Sequence, residues 1–485
     1  MFESADLEHC IPKAAFKREE PKLRDALLDA QFDLKKDGRF AALILIAGVQ
    51  GAGRGETVNL LNEWMDPRQI ETQAFDEPTD EERERPEIWR YWRVLPPKGK
   101  IGIFFGAWHT GPIMRRVAGE TSDDQFAHEA AEISRFERML ADEGVLLLKY
   151  WFHVSRKQQK KRLKQAHEKA EAPYKKFVAV GEAFLRRTST PDAPWTVVPG
   201  GDRHYRSLAF SRHVLAAMRE RLAGKRHVKA RSPRVLPAPP PPDRLNVIRA
   251  LRLKQPLSKA QYDKQYDKWS ARLNELSRQK KLKSISVVAV FEGQDAAGKG
   301  GAIRRITRAL AARLYRTVSI AAPTEEERAQ PYLWRFWRHI PRRGHFTLFD
   351  RSWYGRVLVE RVEGFAGESD WRRAYTEIND FEQELVRHRI VLAKFWLAIG
   401  KEEQLRRFRE REKVSFKRFK ITPEDWRNRK KWDAYEEAVC DMVDRTSTRI
   451  APWTLVEADN KYFARVKVLK TLCKAIEDAL ERAGG

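Results

Sequence analysis

Residues 287–301 read VVAVFEGQDAAGKGG. The first five are apolar and mostly β-branched, which predicts a strand buried on both faces. Residues 293–299, which follow Glu292, have the spacing G-x-x-x-x-G-K and precede a helical stretch from Ala302 to Leu314. In such a loop the glycines let several backbone N–H groups point at one phosphate, and the lysine reaches the next phosphate. We therefore predict a Walker-type phosphate loop, with phosphate contacts at Gly293, Gly298 and Gly300 and a catalytic role for Lys299.

One position departs from the usual phosphate loop. A Ser or Thr normally follows the lysine and helps to hold Mg²⁺, but here that residue is Gly300. Asp295, inside the loop, is the nearest carboxylate, and a carboxylate among phosphates is repulsive unless a cation bridges them. We therefore predict that Asp295 binds Mg²⁺ or orients the nucleophile. The alternative is an Asp that merely favours the positive end of the helix.

A second charged motif, Asp350-Arg351-Ser352-Trp353-Tyr354-Gly355-Arg356, follows a short apolar stretch, Thr347-Leu348-Phe349. Asp350 stands where a Walker-B carboxylate is expected, at the carboxyl end of a strand, where ligands bind in parallel sheets. We predict that Asp350 is catalytic and binds metal, that Arg351 and Arg356 grip phosphate oxygens, and that Tyr354 stacks on a ligand or donates to it. The alternative is an ion-paired loop without chemistry.

Much of the chain is present twice. Gly53-Arg54-Gly55 matches Gly298-Lys299-Gly300 at an offset of 245 residues, and the same offset holds through Trp151 and Trp396. Further on, Pro194-Trp195 matches Pro452-Trp453 at an offset of 258. Matched tryptophans and glycines indicate a duplicated domain.

The two copies differ in their ionisable residues. The first copy has Gln50, Arg54, Phe105, Gly106 and Gly111, where the second has Asp295, Lys299, Asp350, Arg351 and Arg356. This pattern predicts one catalytic domain and one domain that has lost catalysis. The proline-rich stretch between the copies is typical of a stiff spacer. We predict a first domain at 1–231, a linker at 232–244 and a catalytic domain at 245–485.

Composition narrows the class of protein. The chain has 485 residues, 42% of them hydrophobic, and a formal net charge of +26. Such an excess commonly indicates a polyanionic partner, although it is also typical of a highly solvated surface. Three scattered cysteines fit a reducing cytosol. The sequence has no stretch typical of a secretory signal or a membrane span, so we predict a cytoplasmic protein that does not bind membranes.

Strands that alternate with helices predict a doubly wound α/β fold with a parallel sheet in each domain. The segment Lys401 to Asp433 is mostly charged. It is either a solvated helix face or a lid that closes over the transferred phosphate, as in nucleotide kinases. Phosphate or nucleotide contacts within this lid are predicted at Arg411, Lys417 and Lys420. Thr422 is predicted as the N-cap of a new helix.

Together these residues resemble the polyphosphate kinase 2 family. The resemblance rests on GQDAAGKGG at Gly293–Gly301, on FDRSWYGRVLVERVEG at Phe349–Gly364, and on the tail that contains Pro452-Trp453. The fused pair is similar to the two-domain polyphosphate:AMP phosphotransferase type. The resemblance implies tandem thymidylate-kinase-like P-loop domains, a helical lid, Mg²⁺ dependence, and transfer of a phosphoryl group from inorganic polyphosphate to AMP, giving ADP.

Other functions stay open at this point. The acceptor is AMP, or else ADP or GDP, or the enzyme works in reverse to synthesise the polymer. A different class of enzyme would be an ATP-dependent nucleotide kinase, and a different class of protein would be a non-catalytic polyanion or nucleic-acid binder. We expect no nucleic-acid partner. The pair of copies is expected to form an internal pseudo-dimer, and further homo-oligomers stay open.

Overall fold

The structure is a computed structural model, and it describes residues 1–7, 9–224, 247–414 and 421–482. Two sequence-based predictions fall outside these ranges. They are the linker at 232–244 and the phosphate contacts of Lys417 and Lys420. The predicted domain boundaries at 231/232 and 244/245 also lie outside the described residues.

The first half of the chain contains five strands and ten helices within its described residues. Strands β1–β5 are Ala42–Gly48, Ile70–Ala74, Ile101–Phe105, Leu146–His153 and Trp195–Pro199. Helices α1–α10 are Glu3–Asp6, Lys13–Asp37, Arg54–Trp64, Asp80–Arg83, Trp89–Trp92, Thr110–Ala118, Asp123–Asp142, Arg156–Ala166, Tyr174–Thr188 and Arg203–Leu222.

The described residues from 247 onward repeat this plan. Strands β6–β10 are Ser286–Gly293, Tyr315–Ser319, Phe346–Asp350, Ile390–Ala398 and Trp453–Glu457. Helices α11–α20 are Lys259–Arg278, Lys299–Ala309, Glu325–Arg328, Trp334–Trp337, Val359–Glu363, Glu368–Arg387, Lys401–Glu412, Pro423–Lys430, Trp432–Thr446 and Lys461–Arg482.

Each set of strands forms one parallel five-stranded sheet. The orders are β2-β3-β1-β4-β5 and β7-β8-β6-β9-β10, so equivalent strands occupy equivalent places. Strand β1 is buried along its whole length, as its continuous apolar sequence predicts, and β9 is buried at every residue, including Lys394. Helices cover both sheets, and the predicted doubly wound α/β fold is confirmed.

The central strand β6 positions the second copy's loop. It pairs with β8 so that Phe291 lies opposite Asp350, and with β9 so that Glu292 lies opposite Trp396. Since all these strands are parallel, their carboxyl ends meet at one edge, where ligands bind in such sheets. The loop and the second charged motif therefore meet at the same edge.

Two local predictions are resolved by the structure. The helix expected from Ala302 to Leu314 begins at Lys299 and ends at Ala309, because Leu310 is already extended. Thr422 is the N-cap of α18, and it shares a capping box with Asp425, as predicted. The first prediction was therefore wrong in its end point, and the second is confirmed.

The described residues divide into two compact units. The first draws on Met1–Pro78, Ile88–Lys229 and Pro323–Arg335, and the second on Thr79–Glu87, Ala230–Ala322 and Phe336–Gly485. Within the ranges that the structure describes, none of the helices is apolar over a length that would cross a bilayer.

Candidate active site

Glycine is required where β6 runs into the loop. Gly293 has φ 147°, and a Cβ at this position would overlap the carbonyl oxygen of Leu397 on the neighbouring strand. Gly298 caps helix α12 with φ 111°, and the space where its Cβ would lie is open. These two left-handed or near-extended positions curl the backbone so that α12 starts directly above the loop.

Lys299 is the first residue of α12, and its side chain folds back over the loop. Its Nζ donates to the carbonyl oxygen of Gly293 at 2.7 Å and lies 3.5 Å from that of Gln294. Within the described residues it forms no ion pair with a carboxylate. No described carboxylate neutralises the ammonium in an ion pair, so its charge adds to the positive potential of the helix N-terminus.

Asp350 ends strand β8 beside this loop. Its Oδ2 lies 3.9 Å from the place that a Cβ of Gly300 would occupy. The carboxylate forms neither a hydrogen bond nor an ion pair with any residue that the structure describes. A carboxylate held at the first turn of α12 without such a partner is available to a cation.

Asp295 and Arg351 form a polar cluster above the loop. Asp295 accepts from Arg351 Nη2 at 3.3 Å and from Asn428 Nδ2 at 2.9 Å. Arg351 has φ 65°, and its backbone N–H donates to Phe291 at 3.1 Å, which fixes where the side chain starts. Burial alone lowers the pKa of Arg351, but the charges of Asp295, Glu292 and nearby acids raise it overall. The guanidinium therefore stays charged.

Glu292 is a candidate site residue that the motif search missed. It is 5% exposed and accepts from the hydroxyl of Ser352 at 2.8 Å. Burial raises the pKa of the Glu292 carboxyl, and the charge of Lys299 opposes that rise. The matched residue of the first copy is Ala47. The comparison of copies that singled out Asp350 therefore also contained the signal for Glu292.

The structure places Tyr354 away from this cluster, inside the second unit. Its hydroxyl donates to Glu382 at 2.5 Å and accepts from Lys394 Nζ at 2.9 Å. Lys394 also donates to Glu382 at 2.7 Å, and both side chains are fully buried. The expectation that Tyr354 stacks on a ligand or donates to it therefore does not match this arrangement, because the hydroxyl is already engaged in the interior.

The same buried ion pair exists in the first unit. Lys149 donates to Glu137 at 2.6 Å, at positions that match Lys394 and Glu382. Both copies have this ion pair, whereas only the second has acids at the positions of Asp295 and Asp350, so the pair stabilises the fold of each unit. At the position that matches Tyr354, the first unit has His109.

The remaining predicted arginines lie around the cluster. Arg356 pairs with Glu360 at 2.9 Å and is largely buried. Arg411, near the end of α17, has its pKa lowered by burial, while the charges of Asp425 and Asp295 act in the opposite direction. Arg356 lies in the 3-10 turn Trp353–Val357, whereas Arg411 lies on α17 and Asp425 on α18.

One arginine of the basic segment has a structural role. Arg407 is 2% exposed and donates to the carbonyl oxygens of Ala296 at 2.9 Å and Ala458 at 2.6 Å. Arg162, at the matched position, bonds Gly51 and Gly200 in the same way. Both arginines tie their loops to the end of the sheet, and neither is free to act as a lid charge.

The first copy's loop is filled differently. A Cβ at Gly53 would overlap the guanidinium of Arg206, which is 1% exposed and pairs with Glu56. The residue matched to Arg206 at the offset of 258 is Ala464. The space that is open beside Gly298 in the second unit is therefore occupied by a cation in the first.

A cavity of about 90 Å³ lies beside the loop in the second unit, and Lys299 and Asp350 are not among its lining residues. Polar lining comes from Glu292, Asp295, Arg351, Glu424 and Asn428, and apolar lining from Leu358, Val359, Trp432 and Val439. Across the described residues, no three side chains of the His, Cys, Asp or Glu type converge as a preformed metal centre. Mg²⁺ does not need such a cage, since one or two carboxylates plus substrate phosphates commonly hold it.

A parallel sheet, a strand–loop–helix phosphate cradle and a neighbouring strand-end carboxylate define a kinase of the P-loop class. The family model described as polyphosphate kinase 2 (PPK2) matches residues 11–226 and 256–483. The chain belongs to the polyphosphate kinase 2 family, and the prediction of an enzyme of this family is confirmed.

Relatives and a solved structure cover the whole chain. A polyphosphate:AMP phosphotransferase of Pseudomonas aeruginosa is 55% identical over 495 residues, which cover 99% of this chain and 100% of that protein. One of Pseudomonas syringae pv. tomato is 52% identical over 495 residues, 99% of each. A crystal structure described as a polyphosphate kinase 2 from Pseudomonas aeruginosa PA01 has a TM-score of 0.91 at 55% identity and covers 99% of this chain and 100% of that one.

Proposed function

We propose that the protein transfers a phosphoryl group from inorganic polyphosphate to AMP, giving ADP, and that it does so in the second unit. The observation that carries the proposal is the meeting of Lys299, Asp350 and Arg351 at one edge of the second sheet, where the first copy has Arg54, Phe105 and Gly106. Relatives over the full length are named polyphosphate:AMP phosphotransferases. The names of these relatives favour AMP, rather than ADP or GDP, as the acceptor.

The loop is the proposed seat of the donor. The backbone N–H groups around Gly298, the N-terminus of α12 and the ammonium of Lys299 all favour phosphate oxygens. Lys299 would exchange its bonds to loop carbonyls for bonds to the transferred group. Because phosphoryl transfer needs positioning and charge neutralisation more than covalent help, this cradle supplies the main requirement.

Two carboxylates are proposed to hold Mg²⁺, which would neutralise phosphate charge and orient oxygens. Asp350 fits because it has no competing partner within the described residues. Asp295 fits as a second ligand once it exchanges Arg351 and Asn428, its partners in the structure. Asp350 lies at the end of strand β8, beside the loop, and Asp295 is part of the loop itself.

Three arginines, Arg351, Arg356 and Arg411, are proposed to bind the acceptor. Arg351 and Arg356 have the planar fork that matches a phosphoryl group, and Arg411 lies on the overlying helix. Lys417 and Lys420 are proposed to complete this lid, although they lie outside the described residues. Glu292, buried between Lys299 and Arg351, is proposed to hold these cations in place.

Residues 1–231 are proposed to form a non-catalytic domain, joined by the linker at 232–244 to the catalytic domain at 245–485. The first domain has Gln50 and Phe105 at the positions that match Asp295 and Asp350, so it lacks both acids. Its proposed role is to support the catalytic half as one part of an internal pseudo-dimer. The proposed compartment is the cytoplasm.

A product assay tests this function. Purified full-length protein is incubated with Mg²⁺, polyphosphate and a panel of AMP, ADP, GDP and GMP, and the nucleotides are separated by chromatography. A parallel reaction replaces polyphosphate with ATP. ADP formed from AMP and polyphosphate is the expected main product. Faster turnover of ADP or GDP, or turnover with ATP alone, would contradict the proposed donor and acceptor.

A salt titration of the same assay separates the polymer from a short donor. Long phosphate chains bind largely by counterion release, so the apparent KM for polyphosphate is expected to rise steeply with salt. A KM for polyphosphate that stays constant over the titration would argue against binding of the polymer by counterion release.

A further inference from the structure

The first unit contains a second cavity, of about 200 Å³, at the place that corresponds to the active-site cavity. Gln50 and Arg54 line one side, and His109, Trp151 and Tyr174 line the other. A single buried water needs only about 10–15 Å³ of such space, so this cavity is far larger than a water site. It survives in a copy that has lost the acids of the catalytic centre.

Arg54 brings a positive charge to this cavity. It is the first residue of α3, an 11-residue helix, so its guanidinium adds to the positive end of the helix. The guanidinium stacks over the ring of Phe105 at 5.0 Å. It forms no hydrogen bond or ion pair with a described residue, and burial lowers its pKa, with Glu171 as the opposing charge.

His109 adds a neutral ring to the wall of this cavity. It is 2% exposed and lines the cavity, and its Nδ1 has no hydrogen-bond partner. Burial lowers the pKa of His109 to about 3, so the ring is neutral near pH 7. Trp151 lines the same cavity, and its Nε1 also has no partner. Both nitrogens are themselves inaccessible, so these rings form an uncharged wall, and Arg54 is the cationic residue of the lining.

The geometry points to a second, non-catalytic binding site for a phosphoryl dianion in the first unit, with Arg54 gripping its oxygens. A guanidinium at a helix N-terminus suits phosphate oxygens. The apolar wall formed by Ile113, Met114 and Phe177 leaves room for the organic part of a monoester. The same dianion chemistry comes from a nucleoside monophosphate or from free orthophosphate.

A long polyphosphate chain does not suit this cavity. Arg206 fills the space beside Gly53, and Glu171 in the wall offsets part of the charge of Arg54, so the cavity has enough positive charge for a single phosphoryl group but not for a long polyanion. The site lacks a counterpart of Asp350, so it binds its ligand without transferring phosphate. This inference lies beyond the proposed function, and the two stand or fall separately.

Equilibrium dialysis of the full-length protein with labelled AMP, and separately with labelled orthophosphate, counts the sites. Loss of a charged hydrogen-bond donor is expected to weaken one class of site by about tenfold or more in Arg54→Leu. Arg54→Lys should keep part of that affinity. The matched control is Arg156→Leu, an exposed arginine that is also the first residue of a helix. The affected class should persist in Lys299→Ala, which alters only the other unit.

Hydrogen exchange of the unmodified protein is a second test, and its result does not depend on whether a variant folds. AMP is expected to slow exchange in the helix Thr110–Ala118 and around Ala172–Phe177. Slowing by orthophosphate alone would identify the free ion as the ligand, and slowing by AMP alone the monoester. The inference is overturned if neither compound changes exchange there, or if Arg54→Leu and Arg156→Leu bind both compounds as the unmodified protein does.

Discussion

Replacing Lys299 by alanine removes the ammonium that folds back over the phosphate loop. In the structure its Nζ bonds to Gly293 and lies near Gln294, and both contacts would pass to phosphate oxygens in the complex. Hydrogen bonds to charged groups contribute about 1.5–3 kcal/mol each. Two such bonds correspond to about 3–6 kcal/mol of transition-state stabilisation, or a loss of roughly 10²–10⁴ in kcat/KM.

The assay is steady-state formation of ADP from AMP and polyphosphate. Lys259→Ala is the matched control, because Lys259 is also the first residue of a helix and its side chain is 75% exposed. Lys299→Arg, which copies the residue of the first unit, keeps the charge in a less compact group and should fall between the two. A loss below about tenfold in Lys299→Ala, equal to about 1.4 kcal/mol, would refute the assignment of Lys299 to the transferred phosphoryl group.

Three more outcomes are expected. Asp350→Asn should raise the Mg²⁺ concentration needed for half-maximal rate and lower kcat by about 10²-fold or more; an unchanged Mg²⁺ titration would exclude it as a ligand. Burial raises the pKa of Glu292, so activity that needs its charged form should fall, as pH decreases, at a higher pH than for an ordinary Glu; the pH–rate profile of Glu292→Gln should lack that limb. Lys394→Met leaves a buried carboxylate unpaired and should cost about 3–5 kcal/mol in urea unfolding, as should Lys149→Met in the first unit; a small effect would show a neutral pair.

Sequence patterns predicted the sheets because the central strands are buried on both faces. Strand β9 is buried at every residue, and Lys394 is the single charged residue in its otherwise apolar sequence. Strand β7, at the sheet edge, buries only Val318 of its five residues, and its sequence YRTVS carries no comparable signal. The predicted end of α12 was too late because no glycine or proline marks Ala309 as the last residue.

Charge differences between the copies predicted much of the site, but not the direction of each side chain. Asp350 and Lys299 were found because strand ends and helix starts of a parallel sheet share one edge. Tyr354 was placed with them because it is close in sequence to Arg356. The short 3-10 turn Trp353–Val357 instead directs its ring into the interior. Burial of Glu292 depends on packing from several segments, which no local pattern contains.

The guanidinium of Arg206 has an evolutionary consequence. Any lineage that regained acids at Gln50 and Phe105 would still have an occupied loop, and a change of Arg206 to a small residue would leave Glu56 without its ion pair. None of these steps is useful before the others. Under the proposed assignment of catalysis to the second unit, a catalytic loop in the first unit would therefore require all of these changes together.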